Sequence, residues 1–340
     1  MAISPFPPVV FPEQPPPDSA SLWQAPALIY DYRQAANPIR KGLTDPIPYR
    51  QWSPPTLDFH RSSILPLDLS DALGCPGPAT SPALAAHFLQ VFPGDPLRPV
   101  ASASSSLFVV LRGSGRLGWA PRDEEEAMSG PPYPPSLSWG AGDVVLLPHG
   151  PGPELEAQEP SLLVWVHDGP LLRHLGAVPA GARFSPCHFP ADRLNDALER
   201  LLADPAAARG NRLSILLAHA ELPASRTISP TLWAMVGLVP AGAKQPPHRH
   251  QSVALDLIVD CPPGCSTLVG TELDADGQIL RPQRIDWEPG GVFVTPPGHW
   301  HAHVNNGDRP ARLLPIQDAG LHTYLRSLDI RFAGGWTGEG

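Results

Sequence analysis

A chain that repeats itself at a fixed offset is built to fold the same way twice. Here "SPALAAHFLQVFPGD" begins at Ser81 and "SPTLWAMVGLVPAGA" begins 148 residues later, at Ser229. The same offset carries Gly94 onto Gly242, Trp139 onto Trp287, Gly142 onto Gly290, Pro148 onto Pro296 and Gly150 onto Gly298. Past that point the copies slip by two, so "VHDGPLLRHL" from Val166 matches "IQDAGLHTYL" from Ile316, with Asp168 against Asp318. Within each copy the apolar runs are short and punctuated by Gly and Pro, the pattern of an all-β sandwich or barrel. With 47 prolines and 30 glycines in 340 residues, long helices are disfavoured and turns are abundant. Two copies of one β-domain are therefore expected, the first over 81–176 and the second over 229–340, with its repeated part ending near 326.

The remaining segments read differently. Residues 1–80 are expected to be a Pro-rich arm followed by a wrapping segment with small apolar clusters such as "LWQAPALIYDY". Between the copies, in the connector 177–228, "PADRLNDALERLLADPAAARG" places Leu194, Leu198, Leu201 and Leu202 at helical spacing, which predicts an amphipathic helix. The first twenty residues lack a basic start and an unbroken apolar run, so no secretory signal is expected. No apolar stretch is long enough to span a membrane as a helix. The formal net charge is −9 and basic residues do not cluster, which argues against nucleic acid as a partner. The acidic run Asp123-Glu124-Glu125-Glu126 reads as a solvated loop. Four cysteines are few for this length and fit a reducing, cytoplasmic setting. Cys261 and Cys265 bracket a turn, and a single such pair is weak grounds for zinc. "RGSGRL" from Arg112 has no helix after it and reads as a hairpin turn.

The chemistry-bearing feature is "QPPHRHQSVALDLIVD". If this is a strand, His248 and His250 project to one face. Alone, such a pair could equally be two polar residues on a wet edge. The same copy continues "WEPGGVFVTPPGHWHAHVNNGD", where Gly298 makes a turn that returns His299, His301 and His303 along the next strand. Two imidazoles from one strand and a third from its neighbour would close one face of a metal ion and leave the other open for chemistry. Neutral imidazole suits Fe, Zn, Cu and Ni. At the corresponding places the first copy has Val100, Ser102 and Pro153, which cannot form such a set, and His149 alone does not replace it.

These residues resemble a known family. The spacing G-x5-H-x-H, from Gly242 to His248-Arg249-His250, is similar to the first cupin motif. The spacing G-x5-P-x-G-x2-H-x3-N, from Gly290 through Pro296, Gly298 and His301 to Asn305, is similar to the second. The wording resembles the bicupin gentisate and 1-hydroxy-2-naphthoate dioxygenases, strongly over 229–326, more weakly over 81–176 and faintly over 21–80. The resemblance implies an all-β fold of two cupin jelly-roll barrels with a helical connector. It also implies Fe(II) held by His248, His250 and His301, with O2-dependent opening of a hydroxylated aromatic acid. The usual cupin glutamate would fall at Ala254 or Leu255, and Asp256 would need a bulge to ligate; a set of three histidines suits the dioxygenase subgroup. Two departures stand out. Those relatives usually carry iron in the N-terminal barrel, and Gly298 takes the place of the family's first Trp.

Within this reading His303 is the candidate proton acceptor for a substrate hydroxyl, with His299 a second candidate by its shared strand face. For both, a plain hydrogen-bonded strand residue is an equal alternative. Arg249 alternates away from the ligands, so no residue emerges from the sequence to pair with a substrate carboxylate. Trp139 and Trp287 recur in both copies and read as packing. His60, His87, His167, His174, His188, His219 and His322 read as structural. The expected partners are a small aromatic acid and O2, and the resemblance extends to assembly as a homo-oligomer. Zn, Mn or Ni are the other ions such a set accepts. Two rival readings keep the fold: a non-catalytic bicupin that binds a small molecule or metal as a sensor or storage protein, and a Zn or Mn cupin isomerase or hydrolytic enzyme.

Overall fold

In a computed structural model of the chain, residues 26–27, 45–57, 61–119, 136–205, 207 and 212–335 are described. The expected Pro-rich arm, "LWQAPALIYDY" apart from Pro26 and Ala27, His60 and the acidic run at 123–126 lie outside them. The chain divides into two units, 1–46 and 47–340, and the elements below belong to the second.

The expected strands form and alternate as the pattern requires. In chain order they begin with β1 (Gln51–Trp52), β2 (Ser63–Pro66), the short helix α1 (Ser70–Leu73), β3 (Ala85–Val91), β4 (Ser105–Arg112) and β5 (Ser114–Gly118). There follow β6 (Ser136–Gly140), β7 (Val144–Pro148), β8 (Glu154–Ala157), β9 (Ser161–His167), helix α2 (Gly169–Leu175) and β10 (Cys187–Phe189). After the connector helix α3 (Ala191–Ala203) come β11 (Leu213–Leu217), β12 (Trp233–Val239), β13 (His248–Arg249), β14 (Ala254–Asp260) and β15 (Cys265–Gly270). Then come β16 (Gln283–Asp286), β17 (Val292–Thr295), β18 (Trp300–Asn305), β19 (Ala311–Gln317), helix α4 (Ala319–Tyr324) and β20 (Arg331–Phe332).

Each copy supplies one large and one smaller antiparallel sheet. The first has β10-β7-β4-β9-β3-β2 and β6-β5-β8; the second has β1-β17-β14-β19-β12-β11 and β16-β15-β18-β13-β20. The repeat seen in sequence is a repeat in register. β4 and β14 each carry a β-bulge against their partner strand, between Val110 and Arg112 in one and between Ile258 and Asp260 in the other, at the same offset. Gly142 and Gly290 both sit at positive φ, 90° and 82°, in the turn that launches β7 and β17, a conformation that selects glycine. Asp168 and Asp318 directly follow β9 and β19 and accept a backbone N–H where β4 or β14 begins, from Ser105 at 3.2 Å and Val253 at 2.9 Å.

Alternation decides what each face buries. On β14, Leu255 and Leu257 join Leu107 and Val109 of β4 in a core shared by the two large sheets, while Ile258 joins Val239, Phe293 and Leu313 inside the second barrel. Leu89, Val91, Phe108 and Trp165 fill the interior of the first. The connector helix forms as the spacing predicts; Leu194 and Leu198 are buried, and Leu202 is exposed. The flanking segments do more than wrap. β1 and β2 extend the large sheets, β10 and β11 do the same from the connector, and Leu67, Leu69 and Leu217 enter the shared core. Their short strands carry little period of their own, which is why pattern alone missed them. No helix among the described residues is long and apolar enough to cross a membrane.

Candidate metal centre

The register of the smaller sheet brings the histidines together. β13 pairs antiparallel with β18 so that His248 lies directly opposite His301. The chain leaves β13 at His250, whose carbonyl accepts the backbone N–H of Gly298 at 2.7 Å. That bond ties the end of one histidine-bearing segment to the turn before the other, a turn in which Gly298 takes a φ of +75°. Ring centroids lie 3.9 Å apart for His248 and His301, 5.0 Å for His250 and His301, and 6.0 Å for His248 and His250. One nitrogen from each of the three lies within 4.8 Å of the others, and all three side chains are buried. Among the described residues this is the one cluster of metal-binding side chains with such convergence.

The outer atoms fix the rings. His250 Nδ1 donates to the Ser252 carbonyl at 2.9 Å, and the Ser252 hydroxyl, 3.0 Å from the same nitrogen, is held by Gln317 Oε1 at 2.9 Å. His301 Nδ1 donates to the His299 carbonyl at 3.1 Å. With hydrogen on Nδ1, each neutral ring keeps its lone pair on Nε2, the arrangement that orients a metal ligand. His250 Nε2 and His248 Nδ1 are buried with no hydrogen-bond partner among the described residues. A buried polar atom without a partner is costly unless a bound ion or water satisfies it.

All of these imidazoles are held neutral. Burial, then the Arg212 charge, pushes His250 down to about 4 and His303 to about 3; burial is also the first cause of the strong depression at His248 and His301. Neutral, desolvated imidazoles with orphaned nitrogens fit a first-row transition metal.

His303 lies one step along β18. Its ring centroid is 5.9 Å from that of His301 and 6.2 Å from that of His248, and its Nδ1 is 2.8 Å from Thr267 Oγ1. His299 sits before β18 begins; it donates Nδ1–H to the Pro297 carbonyl at 3.1 Å and packs edge-on to Tyr49, ring centroids 5.5 Å apart. Arg249 points to the other face, its guanidinium 5.1 Å above the Trp300 ring. Asp256 is buried inside the barrel, where its Oδ2 accepts the Thr295 hydroxyl at 2.6 Å and burial lifts its pKa to about 6. The bulge of β14 falls beyond it, so Asp256 keeps its register and stays outside the cluster. Asn305 is a brace: its Nδ2 donates to the carbonyls of Val239 and Arg309, both at 2.9 Å. Its Oδ1 accepts from Cys265 Sγ at 3.1 Å, which gives that cysteine a structural partner.

The residue that pattern reading missed is Arg212. It stands just before β11, with its guanidinium turned into the second barrel. Nη1 lies 3.5 Å from Met235 Sδ, Cζ lies 6.0 Å from the Phe332 ring, and Nε is buried with no partner among the described residues. Burial lowers its pKa to about 10 against an opposing pull from Asp256. Arg212, Met235, Gly237, Gln245, His303 and Pro315 line a cavity of about 10 Å³, about the room for one water. In the first barrel the places of Gly237 and Pro315 are taken by Leu89 and Trp165, as the strand registers show. Arg212 was invisible in sequence because its position depends on β11, a connector strand, adding to the edge of β12.

No family model matches the chain. It is 28% identical over 130 residues to gentisate 1,2 dioxygenase 1 of Aquipseudomonas alcaligenes, a match covering 38% of this chain and 33% of that protein. It is 30% identical over 102 residues to the 5-nitrosalicylic acid 1,2-dioxygenase of Bradyrhizobium sp, covering 30% of this chain and 42% of that protein. The chain thus spans well under two thirds of the length of these curated relatives. In structure it matches salicylate 1,2-dioxygenase from Pseudaminobacter salicylatoxidans with a TM-score of 0.65 and 14% identity, covering 94% of this chain and 99% of that one.

Proposed function

We propose that this chain, a bicupin with one furnished barrel, is a dioxygenase that takes a hydroxylated aromatic carboxylic acid and O2, with Fe(II) held by His248, His250 and His301. The observation that carries the reading is the convergence of three buried imidazole nitrogens within 4.8 Å, two of the rings oriented by backbone carbonyls. The named activities of the relatives point to the substrate class. Fe(II) held by three neutral ligands would supply redox chemistry and open positions for oxygen ligands.

The protein's own residues do the rest. Arg212 is the cation that the substrate carboxylate needs, half-buried overall, with a buried, unpartnered Nε and a fork suited to two carboxylate oxygens. His303 borders the same cavity and meets an oxygen of the bound acid. His299 acts from the rim beside Tyr49. Gly237 and Pro315 border that cavity, at places where the first barrel has the bulkier Leu89 and Trp165.

Oxygen uptake by iron-loaded protein over a panel of hydroxybenzoates and hydroxynaphthoates tests this. Consumption with at least one of them, abolished by His301→Ala, is the expected result. Stoichiometric iron without oxygen consumption on any of them would favour the second reading, a non-catalytic binding bicupin. The tight cavity of about 10 Å³ is the feature that speaks for that alternative.

A further inference from the structure

The two barrels share a buried tryptophan but use it differently. In the first, Leu117 of β5 faces Leu137 on one side and Leu155 on the other, and the neighbouring Trp139 has its Nε1 buried with no partner among the described residues. In the second, the corresponding register puts Thr267 of β15 between Ile285 and His303. Trp287, the counterpart of Trp139, donates its Nε1–H to Thr267 Oγ1 at 2.8 Å, and Thr267 Oγ1 lies 2.8 Å from His303 Nδ1. The Trp287 and His303 rings pack with centroids 5.5 Å apart. A Leu–Leu contact in one copy is a Thr–His contact in the other, and the tryptophan is tied into it.

The direction of the chain follows from the donors. Indole N–H can only donate, so Trp287 occupies a lone pair of Thr267 Oγ1. The hydroxyl hydrogen then needs an acceptor, and among the described residues His303 Nδ1 is the one in reach. An Nδ1 that accepts leaves the hydrogen of the neutral ring on Nε2. His303 also borders the cavity it shares with Arg212.

We propose that Thr267 and Trp287 are positioning residues that fix His303 as its Nε2–H tautomer, so that it donates a hydrogen bond to an oxygen atom of the ligand bound beside the triad. The ligand part rests on the function proposed above; the tautomer does not. The assignment reverses the proton-acceptor role that sequence suggested, because a base would need its free lone pair where this ring carries hydrogen. Arg212 and His303 then present two donors to one acid, a guanidinium and an imidazole N–H.

The test is nitrogen-15 NMR of the histidine rings in metal-free, full-length protein, comparing wild type with Thr267→Val and Thr267→Ser. The expected result is protonated Nε2 at His303 in the wild type and in the serine variant, and a mixture of tautomers in the near-isosteric valine variant. Hydrogen on Nδ1 in the wild type, or one tautomer in all three proteins, overturns the proposal. Salicylate binding to zinc-loaded protein supplies the second readout. Thr267→Val should weaken it by about fivefold, the scale of one hydrogen bond, with zinc content unchanged. Equal salicylate affinity in the wild type and the valine variant also overturns the donor role. Failure of the wild type itself to bind salicylate would count against the proposed function and against the ligand part of this inference, and would leave the tautomer to the NMR.

Discussion

A backbone carbonyl accepts hydrogen bonds and never donates them, so His250 and His301 have no choice about where their ring hydrogens sit. That constraint turns two Nε2 lone pairs inward before any ion arrives. The Ser252 hydroxyl, held by Gln317, adds a second restraint on His250. Ser252→Ala should therefore lower metal affinity by about tenfold, measured by competition with a chelator, while leaving the fold intact. In the proposed function Arg212 serves the organic ligand instead. Arg212→Met should raise the KM for an aromatic carboxylate by about 100-fold, the worth of a charge-assisted pair in a buried site, without loss of metal. Arg212→Lys keeps the charge but loses the planar fork, and should recover only part of that. An unchanged KM in Arg212→Met would remove Arg212 from the site.

At the scale of elements, the segment after α4 packs over the strand that carries His248. β20 pairs with β13, Ala333 N–H reaches the Pro247 carbonyl at 2.8 Å, and the Phe332 ring lies 6.0 Å from that of His248. Phe332→Ala should speed metal removal by a chelator severalfold; an unchanged rate would mean the strap does not gate the site. Elsewhere in the second copy, burial holds the Asp318 carboxyl up at about 7, and Asp256 behaves alike at about 6. Because these folded values lie above the ordinary carboxyl value, the stability they contribute is complete below about pH 4. It is lost as pH rises through 6 for Asp256 and 7 for Asp318. Asp318→Asn should flatten that decline in a series of unfolding midpoints measured from acid to neutral pH. An equal slope in wild type and variant would contradict the assignment. The long strands and α3 were legible in sequence because they carry a full period of pattern. β1 and β20, at two residues each, carry none; they exist because a neighbouring strand offers them partners.

For the molecule as a whole, duplication explains both what could be read and what could not. His248, His250 and His301 stood out because motif spacing and strand alternation agree at one end of one barrel. Arg212 and Thr267 did not, since each matters only through a partner on another strand, and cross-strand adjacency leaves no local period. Comparing copies recovers it: Leu117 and Leu155 show what Thr267 and His303 replace. The shared core of the two large sheets should then be the main source of stability. Leu255→Ala, at a fully buried position there, should cost about 2–5 kcal/mol in denaturant unfolding and leave metal content unchanged. The proposed chemistry depends on one claim, that the second barrel holds a metal ion through three histidines. Elemental analysis of purified wild type and of the double variant His248→Ala/His301→Ala tests it directly. The expected result is about one metal ion per chain in the wild type and none in the double variant; equal metal in both would contradict it.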